Sequence, residues 1–412
     1  MITRVEARNY RCLRSVKVPL RPFQILVGPN GSGKTALMDV LGFIRDCVLY
    51  SVDQAVRQRT DNYHDLVWGR EESSFDLALE AEILEDHLIA SESIRVTVTH
   101  VGSKDEMPKE HFIESESPSY THVRYDLSVR LDPRSGVPII AREKVALLDP
   151  AHGKTWALAD RTDTEVVFAH EDSSEGEFRT RLPSVNSAVN LFPTGPNDFP
   201  TRRWFASLLT QGIRDVRLSA EALHAPSTLE AEKASKLTGA NLARSVFELR
   251  ESSRESFEAW MRHVRTALPD LASIRTEPLP QARARYLMLK YQNGIEVPSR
   301  VVSDGTLCLL ALTILAYMPE PNQIYLIEEP ENAVHPTAVE TIFQSLSSLY
   351  DSQVLMASHS PILLSLAKPE ELLCFTRTRE GTGIVPGNEH PALKEWKGEV
   401  DLSDLFAAGV LG

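Results

Sequence analysis

The feature that most constrains the fold of this chain is a glycine-rich segment at residues 28–35, with the sequence GPNGSGKT. It follows a short apolar run at residues 23–27, and the apolar residues from 35 to 50 recur at helical spacing. Buried strand, glycine-rich loop and helix, in that order, are the context in which G-x-x-x-x-G-K-T forms a phosphate-binding P-loop. A chance glycine-rich turn would lack both neighbours, so we expect an α/β fold built around a P-loop.

The loop predicts a binding site for the phosphates of ATP and for Mg²⁺. Its glycines let successive backbone N–H groups point at phosphate oxygens, and the following helix adds its positive N-terminal end. Lys34 is expected to contact the β- and γ-phosphates and to act in catalysis, and the Thr35 hydroxyl is expected to hold the magnesium ion. The residues expected to bind nucleotide are Asn30, Gly31, Ser32, Gly33, Lys34 and Thr35.

A second motif, IYLIEEPENAVHP at residues 324–336, places two acids at the end of an apolar strand. Ligands bind at this edge of α/β sheets. We expect Glu328 to hold magnesium, through its water shell, and Glu329 to polarise the attacking water. Paired acids after a strand are often a solvated turn, but the P-loop upstream and a histidine-bearing strand downstream favour the functional interpretation.

Two more segments complete the pattern. The apolar strand predicted in QVLMASHSP, residues 353–361, delivers His359 to the same sheet edge, where it is interpreted as a γ-phosphate sensor. The sequence SDGT at residues 303–306 precedes an apolar helix, so Ser303 and Gly305 open a second helix end that favours anions. An ordinary helix cap would look the same, and the placement just before the acidic motif favours a site.

Composition narrows the class of protein. The 412 residues carry a formal net charge of −13, which argues against strong nonspecific DNA binding by the monomer. No apolar run is long enough to span a membrane, and MITRVEARNY lacks the apolar segment of a secretory signal. The 4 cysteines show no C-x-x-C spacing. We therefore expect a cytoplasmic protein without disulfides or zinc.

The pattern along the chain predicts a head that is split by an insertion. We expect an N-terminal part at residues 1–85, an insertion at 86–290 and a C-terminal part at 291–412. Period-two segments predict antiparallel strands at 75–83, 94–100, 123–131 and 144–148, and polar stretches predict loops at 102–121 and 183–200. Residues 201–268 are predicted to be helical, with a buried stripe through Leu242, Val246, Leu249, Phe257 and Trp260. A strand is predicted near 286–291. Strands at 324–328 and 353–357 then alternate with helices at 304–317, 336–350 and after Pro361.

These motifs, in this order, resemble the ABC-type ATPase heads of the SMC, RecF and OLD group. The likeness is greatest to the stand-alone bacterial ATPases often classed as AAA-type, and it covers nearly the whole chain. NYRCL at 9–13 resembles the N-terminal strand of the group, GANLARSVFELR at 239–250 its helical insert, and EEPENAVHP at 328–336 its Walker B motif and D-loop. The resemblance implies an ABC-type head with a mixed central sheet, an antiparallel β-subdomain and an inserted helical subdomain.

The resemblance also implies an assembly. SDGT corresponds to the signature motif, which contacts the γ-phosphate bound on a partner head through Ser303 and Gly305. Two ATP molecules are then sandwiched in a homodimer, and hydrolysis requires dimerisation. Two positions depart from the pattern: Glu328 stands where transporter heads carry Asp, and no Q-loop glutamine is evident. Gln54 and Gln58 are the nearest candidates, and a surface helix explains both.

Three functions remain open at this stage. The first is a dimerising regulatory or sensor subunit with a separate nuclease-like effector, in bacterial anti-phage defence. Its basis is that the stretch after His359 is too short for the TOPRIM nuclease domain of OLD proteins, and that the long arms of SMC proteins are absent. The alternative is a RecF-like repair or chromosome ATPase that binds DNA through Arg202–Arg203 or through Arg283 with Arg285. A nonhydrolysing scaffold is the third, and Glu329 argues against it.

Overall fold

The structure is a computed structural model that describes residues 1–84, 120–169, 177–192, 200–228, 236–318, 322–332, 334–394 and 402–411. The strand expected at 94–100 and nearly all of the loop expected at 102–121 lie outside these residues. Part of the loop expected at 183–200 also lies outside them.

The described strands and helices are numbered in chain order. The strands are β1 Ile2–Tyr10, β2 Leu13–Pro19, β3 Phe23–Val27, β4 Ser74–Glu82, β5 His122–Leu131, β6 Pro138–Asp149, β7 Lys154–Thr162, β8 Glu165–Ala169, β9 Glu177–Arg181, β10 Ile213–Val216, β11 Ser227–Thr228, β12 Lys236–Leu237, β13 Leu271–Leu279, β14 Ala284–Tyr291, β15 Glu296–Pro298, β16 Ile324–Glu328, β17 Gln353–Ala357, β18 Leu372–Thr378 and β19 Gly381–Pro386. The α-helices are α1 Lys34–Leu49, α2 Val52–Arg57, α3 Pro200–Ser207, α4 Ala220–His224, α5 Leu242–Ser252, α6 Arg254–Ala267, α7 Asp304–Thr313, α8 Pro336–Ser347, α9 Pro361–Leu366 and α10 Leu402–Ala407.

A mixed sheet carries the P-loop. Within the described residues it has seven strands in the order β12-β10-β16-β17-β3-β18-β19. All its pairs are parallel except β18 with β19. Strands buried on both faces read as continuous apolar runs, which is why β3 and β17 are recognisable in the sequence. The predicted mixed central sheet is confirmed.

The order of strands places the predicted motifs at one sheet edge. β3 leads into the glycine-rich loop, β16 ends at Glu328 and β17 ends just before His359. Because β16, β17 and β3 are parallel neighbours, their carboxyl ends meet. The strands predicted at 324–328 and 353–357 are confirmed. The predicted helices 304–317 and 336–350 end earlier as α-helices, at Thr313 and Ser347.

An antiparallel sheet packs on the other side of α1. Its eight described strands follow the order β2-β1-β4-β5-β6-β7-β8-β9. In β5, buried and half-buried residues alternate, so one face packs into a core shared with α1. The predicted antiparallel β-subdomain is confirmed.

A strand of the mixed sheet was missed. Residues 201–268 were predicted to be helical, but 213–216 form β10, which pairs in parallel with β16, and the two-residue strands β11 and β12 also lie in this span. The prediction was wrong there because four residues carry too short a pattern, and the pairing partner lies over a hundred residues along the chain. β10 ends beside the acidic motif and brings Asp215 and Arg217 to the sheet edge.

A separate hydrophobic core lies between α5, α6 and α7 and a small sheet of β11, β14, β13 and β15. The predicted stripe on α5 and α6 is buried there, as expected. Trp260 is fully buried, and its indole N–H donates to the Thr313 hydroxyl on α7 at 2.9 Å. This bond ties the C-terminal end of α7 to α6.

The division at residues 85 and 290 remains a prediction, and strand pairing crosses it, since β4 pairs with β5 and β10 with β16. In the described part of the chain, no helix combines the length and the apolar character that a membrane crossing needs.

Candidate functional site

The glycine-rich loop has the backbone that a phosphate cradle requires. Gly28, Gly31 and Gly33 adopt positive φ angles of 146°, 73° and 108°. A Cβ atom at Gly28 would lie 2.3 Å from the backbone oxygen of Phe375. Glycine is therefore needed at this position both for its φ angle and for the close approach of β18.

Polar groups inside the loop are suited to an anion. The Lys34 ammonium donates to the backbone oxygens of Gly28 and Pro29 at 2.7 and 3.1 Å, which holds it across the loop. Burial lowers the pKa of Lys34, and the carboxylates of Glu329 and Glu328 oppose this shift. Ser32 is fully buried and its hydroxyl has no hydrogen-bond partner among the described residues. A buried donor without a partner is costly, and a phosphate oxygen would satisfy it.

A cavity of about 600 Å³ lies over the loop. The structure brings most of the predicted site residues together around it. The lining residues are Arg11, Cys12, Asn30, Gly31, Ser32, Gly33, Lys34, Thr35, Ala36, Arg59, Thr60, Asp65, Leu66, Glu328, Glu329, Ala357 and His359. This volume falls within the range of small-ligand sites.

Glu328 and Thr35 form the part of the site that could hold magnesium. Thr35 and Glu328 line the same cavity, and the Thr35 side chain acts to lower the pKa of Glu328. Burial raises the pKa of Glu328, while Arg217, 3.9 Å from its carboxylate, lowers it. A hydroxyl and a carboxylate are oxygen ligands of the kind Mg²⁺ prefers, and the ion keeps several waters. The donor set therefore fits the expected metal.

Glu329 is held in a special backbone conformation. Its φ angle is 47°, which non-glycine residues rarely adopt. Its N–H donates to the Ala357 oxygen at 2.8 Å, and its carboxylate accepts from the Asn332 amide at 2.5 Å. Glu329 lines the cavity over the P-loop from this turn.

His359 sits opposite this turn and is tied to it. The Glu331 carboxylate accepts from the His359 N–H at 3.0 Å and from the Ser358 hydroxyl at 2.7 Å. Burial lowers the pKa of His359, and the Lys34 ammonium acts in the same direction. This shift favours the neutral ring, whose N–H can donate to a phosphate oxygen.

The predicted signature residues lie elsewhere. Ser303 caps α7: its hydroxyl accepts from the Thr306 N–H at 3.3 Å and bonds to the Thr306 hydroxyl at 2.8 Å. In the described part of the chain, neither Ser303 nor Gly305 lines the cavity over the P-loop. The site within one protomer thus contains the predicted P-loop, acidic and histidine residues but not the signature.

Several residues near the site were not predicted as site residues from the sequence. Asp39 accepts from the Tyr10 hydroxyl at 2.6 Å and forms ion pairs with Arg11 at 2.8 Å and with Arg59 at 2.7 Å. Both arginines line the cavity. NYRCL marks two of these residues, but the pairing across three elements leaves no local pattern.

The candidates for the Q-loop glutamine differ in their placement. A neighbouring cavity of about 230 Å³ is lined by Thr35, Glu328, Arg217 and Gln58. Gln58 is exposed and caps the C-terminal end of the short helix α2. Gln54 lines neither cavity.

A P-loop on a mixed sheet, two acids after a neighbouring strand and a histidine after the next define an SMC- and OLD-like ATPase head. The chain belongs to the AAA_21 family, described as "AAA domain, putative AbiEii toxin, Type IV TA system", whose model matches residues 23–365.

Solved structures share the fold. A crystal structure of the SmcHead bound to the C-winged helix domain of ScpA superposes with a TM-score of 0.52 at 14% identity, covering 93% of this chain and 96% of that chain. An Smc head domain with an extended coiled coil, bound to the C-terminal domain of ScpA derived from Pyrococcus furiosus, gives a TM-score of 0.50 at 14% identity, covering 93% and 95%. The predicted ABC-type head is confirmed as a fold.

One sequence relative is similar over a short segment. An OLD nuclease of Thermus scotoductus is 39% identical over 44 residues, which are 11% of this chain and 8% of the nuclease. The chain therefore matches only a small part of that protein.

Proposed function

We propose that this protein binds ATP with Mg²⁺ and hydrolyses the ATP between two copies of the chain. The observation that carries the proposal is the convergence of Lys34, Glu328, Glu329 and His359 on one cavity of about 600 Å³. The buried Ser32 hydroxyl supports it, because it gains a partner when a phosphate occupies the loop.

Each side chain has a distinct part in this reaction. The loop N–H groups, Ser32 and Lys34 bind the phosphates and fix the γ-phosphorus in line with an attacking water. Thr35 and Glu328 would hold magnesium, which screens the phosphate charge when bound. Glu329 accepts a hydrogen bond from the water, and His359 donates to a γ-phosphate oxygen.

The position of the signature supports a dimer. Ser303 and Gly305 open α7, an anion-favouring helix end that lies outside the cavity of its own protomer. A second copy placed head to tail would bring this end to the γ-phosphate. Such a dimer is a switch, because the γ-phosphate provides contacts that favour only the closed state.

The role that fits this switch is a regulatory or sensor subunit in the bacterial cytoplasm, acting with a separate nuclease-like effector in anti-phage defence. Two findings support it: the family description names a toxin–antitoxin system, and the short similar segment belongs to an OLD nuclease.

The test is ATP turnover measured against protein concentration, with and without Mg²⁺. We expect the rate per protomer to rise with concentration and to need Mg²⁺. Glu329→Gln should lower turnover by about a hundredfold or more while ATP binding persists, and it should accumulate an ATP-bound dimer. Glu340→Gln, an exposed glutamate on α8, is the matched control. Unchanged turnover in Glu329→Gln would refute the catalytic assignment.

A second candidate function is direct DNA binding, which one observation favours. Arg283 and Arg285 line a pocket of about 160 Å³ together with Arg244, although Arg244 also pairs with Glu248. Arg202 is excluded from such a groove, because it is buried and donates to the Leu158 oxygen. DNA added to the turnover assay should raise the rate, with a steep loss at high salt, if this function is correct.

A further inference from the structure

His224, the last residue of α4, lies between two hydrogen-bond acceptors next to the signature. Its Nδ1 is 2.9 Å from the Ser299 backbone oxygen, and its Nε2 is 2.7 Å from a carboxylate oxygen of Asp304. Ser299 belongs to the turn that precedes the signature, and Asp304 is the first residue of α7. The ring therefore joins α4 to both sides of Ser303.

The geometry defines the charge of the ring. A backbone oxygen and a carboxylate oxygen can only accept hydrogen bonds, so both ring nitrogens must carry a hydrogen for both bonds to form. The imidazole is then a cation, and its bond to Asp304 is charge-assisted. The Asp304 side chain is 51% exposed, so without the bond to His224 its carboxylate would be free to adopt other positions.

A free carboxylate at this place would oppose phosphate binding. Asp304 lies in the first turn of α7, where backbone N–H groups attract any anion. Its carboxylate would repel a phosphate brought to the same end and would compete for the same donors. Ser303 does not prevent this, because its hydroxyl is engaged with Thr306.

We propose that His224 is a positioning residue for the signature motif: as a cation it holds the Asp304 carboxylate against α4 and neutralises it, which keeps the N-terminal end of α7 open to the partner's γ-phosphate. This inference rests on the proposed ATP-bound dimer. It adds a residue that acts through Asp304 rather than by touching the nucleotide.

The proposal carries a pH dependence with a defined sign. The charged groups on the packed elements are Asp304 on α7, Arg300 on the preceding turn and Glu221 on α4 itself. Asp304 raises the pKa of His224 above 6.5, burial opposes this, and the backbone of Ser299 and Arg300 adds to it. The contact is therefore fully formed below pH 6.5 and is lost as the pH rises through the raised pKa.

The experiment compares the wild type with His224→Ala, Asp304→Asn and the double variant. Two quantities are measured: the affinity of the protomer for a fluorescent ATP analogue, and the protein concentration that gives half-maximal turnover. At pH 6, His224→Ala should raise that concentration by about tenfold or more, the value of one charge-assisted hydrogen bond. The affinity for the analogue should not change. In the double variant, the added Asp304→Asn should bring the half-maximal protein concentration back to that of the wild type.

The control is His152→Ala, which removes a similar histidine–aspartate contact, with Asp149 at 2.8 Å, far from the signature in the chain. It should leave both quantities unchanged. As the pH rises above the raised pKa of His224, the wild type loses the contact as well. The half-maximal protein concentration of His224→Ala, divided by that of the wild type, should then fall towards one.

Two results would overturn the inference. One is a half-maximal concentration in His224→Ala equal to that of the wild type at pH 6. The other is a double variant as impaired as His224→Ala, which would show that His224 only supports the local fold. A wild-type rate per protomer that does not depend on protein concentration would instead overturn the proposed dimer itself, so the two failures are distinguishable.

Discussion

At the scale of single residues, Glu331 shows how one carboxylate connects two motifs. A single oxygen of Glu331 accepts from the Ser358 hydroxyl and from the His359 N–H. Its other oxygen is buried and has no partner among the described residues. Glu331 therefore holds the backbone of His359 at a fixed distance from the turn that carries Glu329.

We expect Glu331→Ala to lower kcat by roughly 10- to 100-fold, because two partly buried hydrogen bonds are lost and His359 is no longer fixed. The affinity for ATP, measured separately by equilibrium binding, should change little. Glu331→Gln keeps the accepting oxygen and should retain most of the activity. If Glu331→Gln is as impaired as Glu331→Ala, the negative charge matters rather than the positioning.

The sequence predicted the residues at this site better than the contacts between them. Lys34, Glu328, Glu329 and His359 each stand in a motif with its own spacing, and the cavity brings them together. Arg217 stands in no motif and was not predicted. Its proximity to Glu328 depends on the pairing of β10 with β16, two strands that are far apart in the sequence. Glu331 lay within a recognised motif, but only its distances to Ser358 and His359 assign it a role.

At the scale of elements, the junction between β3 and the P-loop has the least freedom. Gly28 combines a positive φ with a backbone contact to Phe375 that leaves no room for a Cβ atom. Gly31 also has a positive φ, but a Cβ atom there would meet nothing within 4 Å. Substitutions at the two glycines therefore distinguish the effect of a steric clash, present only at Gly28, from that of backbone strain, present at both.

Gly28→Ala should lower the free energy of unfolding by about 3 to 5 kcal/mol, because β18 must move away from β3. Gly31→Ala should cost only about 1 to 2 kcal/mol, the penalty of a left-handed backbone. Urea unfolding monitored by circular dichroism measures both. Equal decreases in the free energy of unfolding would contradict this account, because they would show that the clash with Phe375 is removed by a small shift of the backbone.

Elements with a long or doubly buried pattern were predictable, and short ones were not. β16 and β17 are apolar apart from Glu328 at the end of β16 and Gln353 at the start of β17, and their predicted bounds are those observed. β10, at 213–216, was missed because its short pattern resembles the helices around it. The mixed order of the central sheet could not be derived locally, since it depends on which distant strands pair.

At the scale of the whole molecule, the nucleotide cavity is assembled from both ends of the chain. Arg11 and the P-loop come from the first tenth of the sequence, and Glu329 and His359 from the last quarter. The signature residue Ser303 lies outside this cavity. The central claim is therefore that each complete site needs residues from two copies of the chain.

Mixing two inactive variants tests this claim most directly. Lys34→Ala removes the phosphate contact within a protomer. Ser303→Asp keeps a helix cap but places a carboxylate where the partner's γ-phosphate is expected. Each variant alone should be inactive. An equal mixture should recover about one quarter of the wild-type rate, because half of the randomly paired dimers are mixed and each mixed dimer has one complete site. A mixture that remains inactive, or Ser303→Asp turning over ATP alone at the wild-type rate, would contradict the shared site.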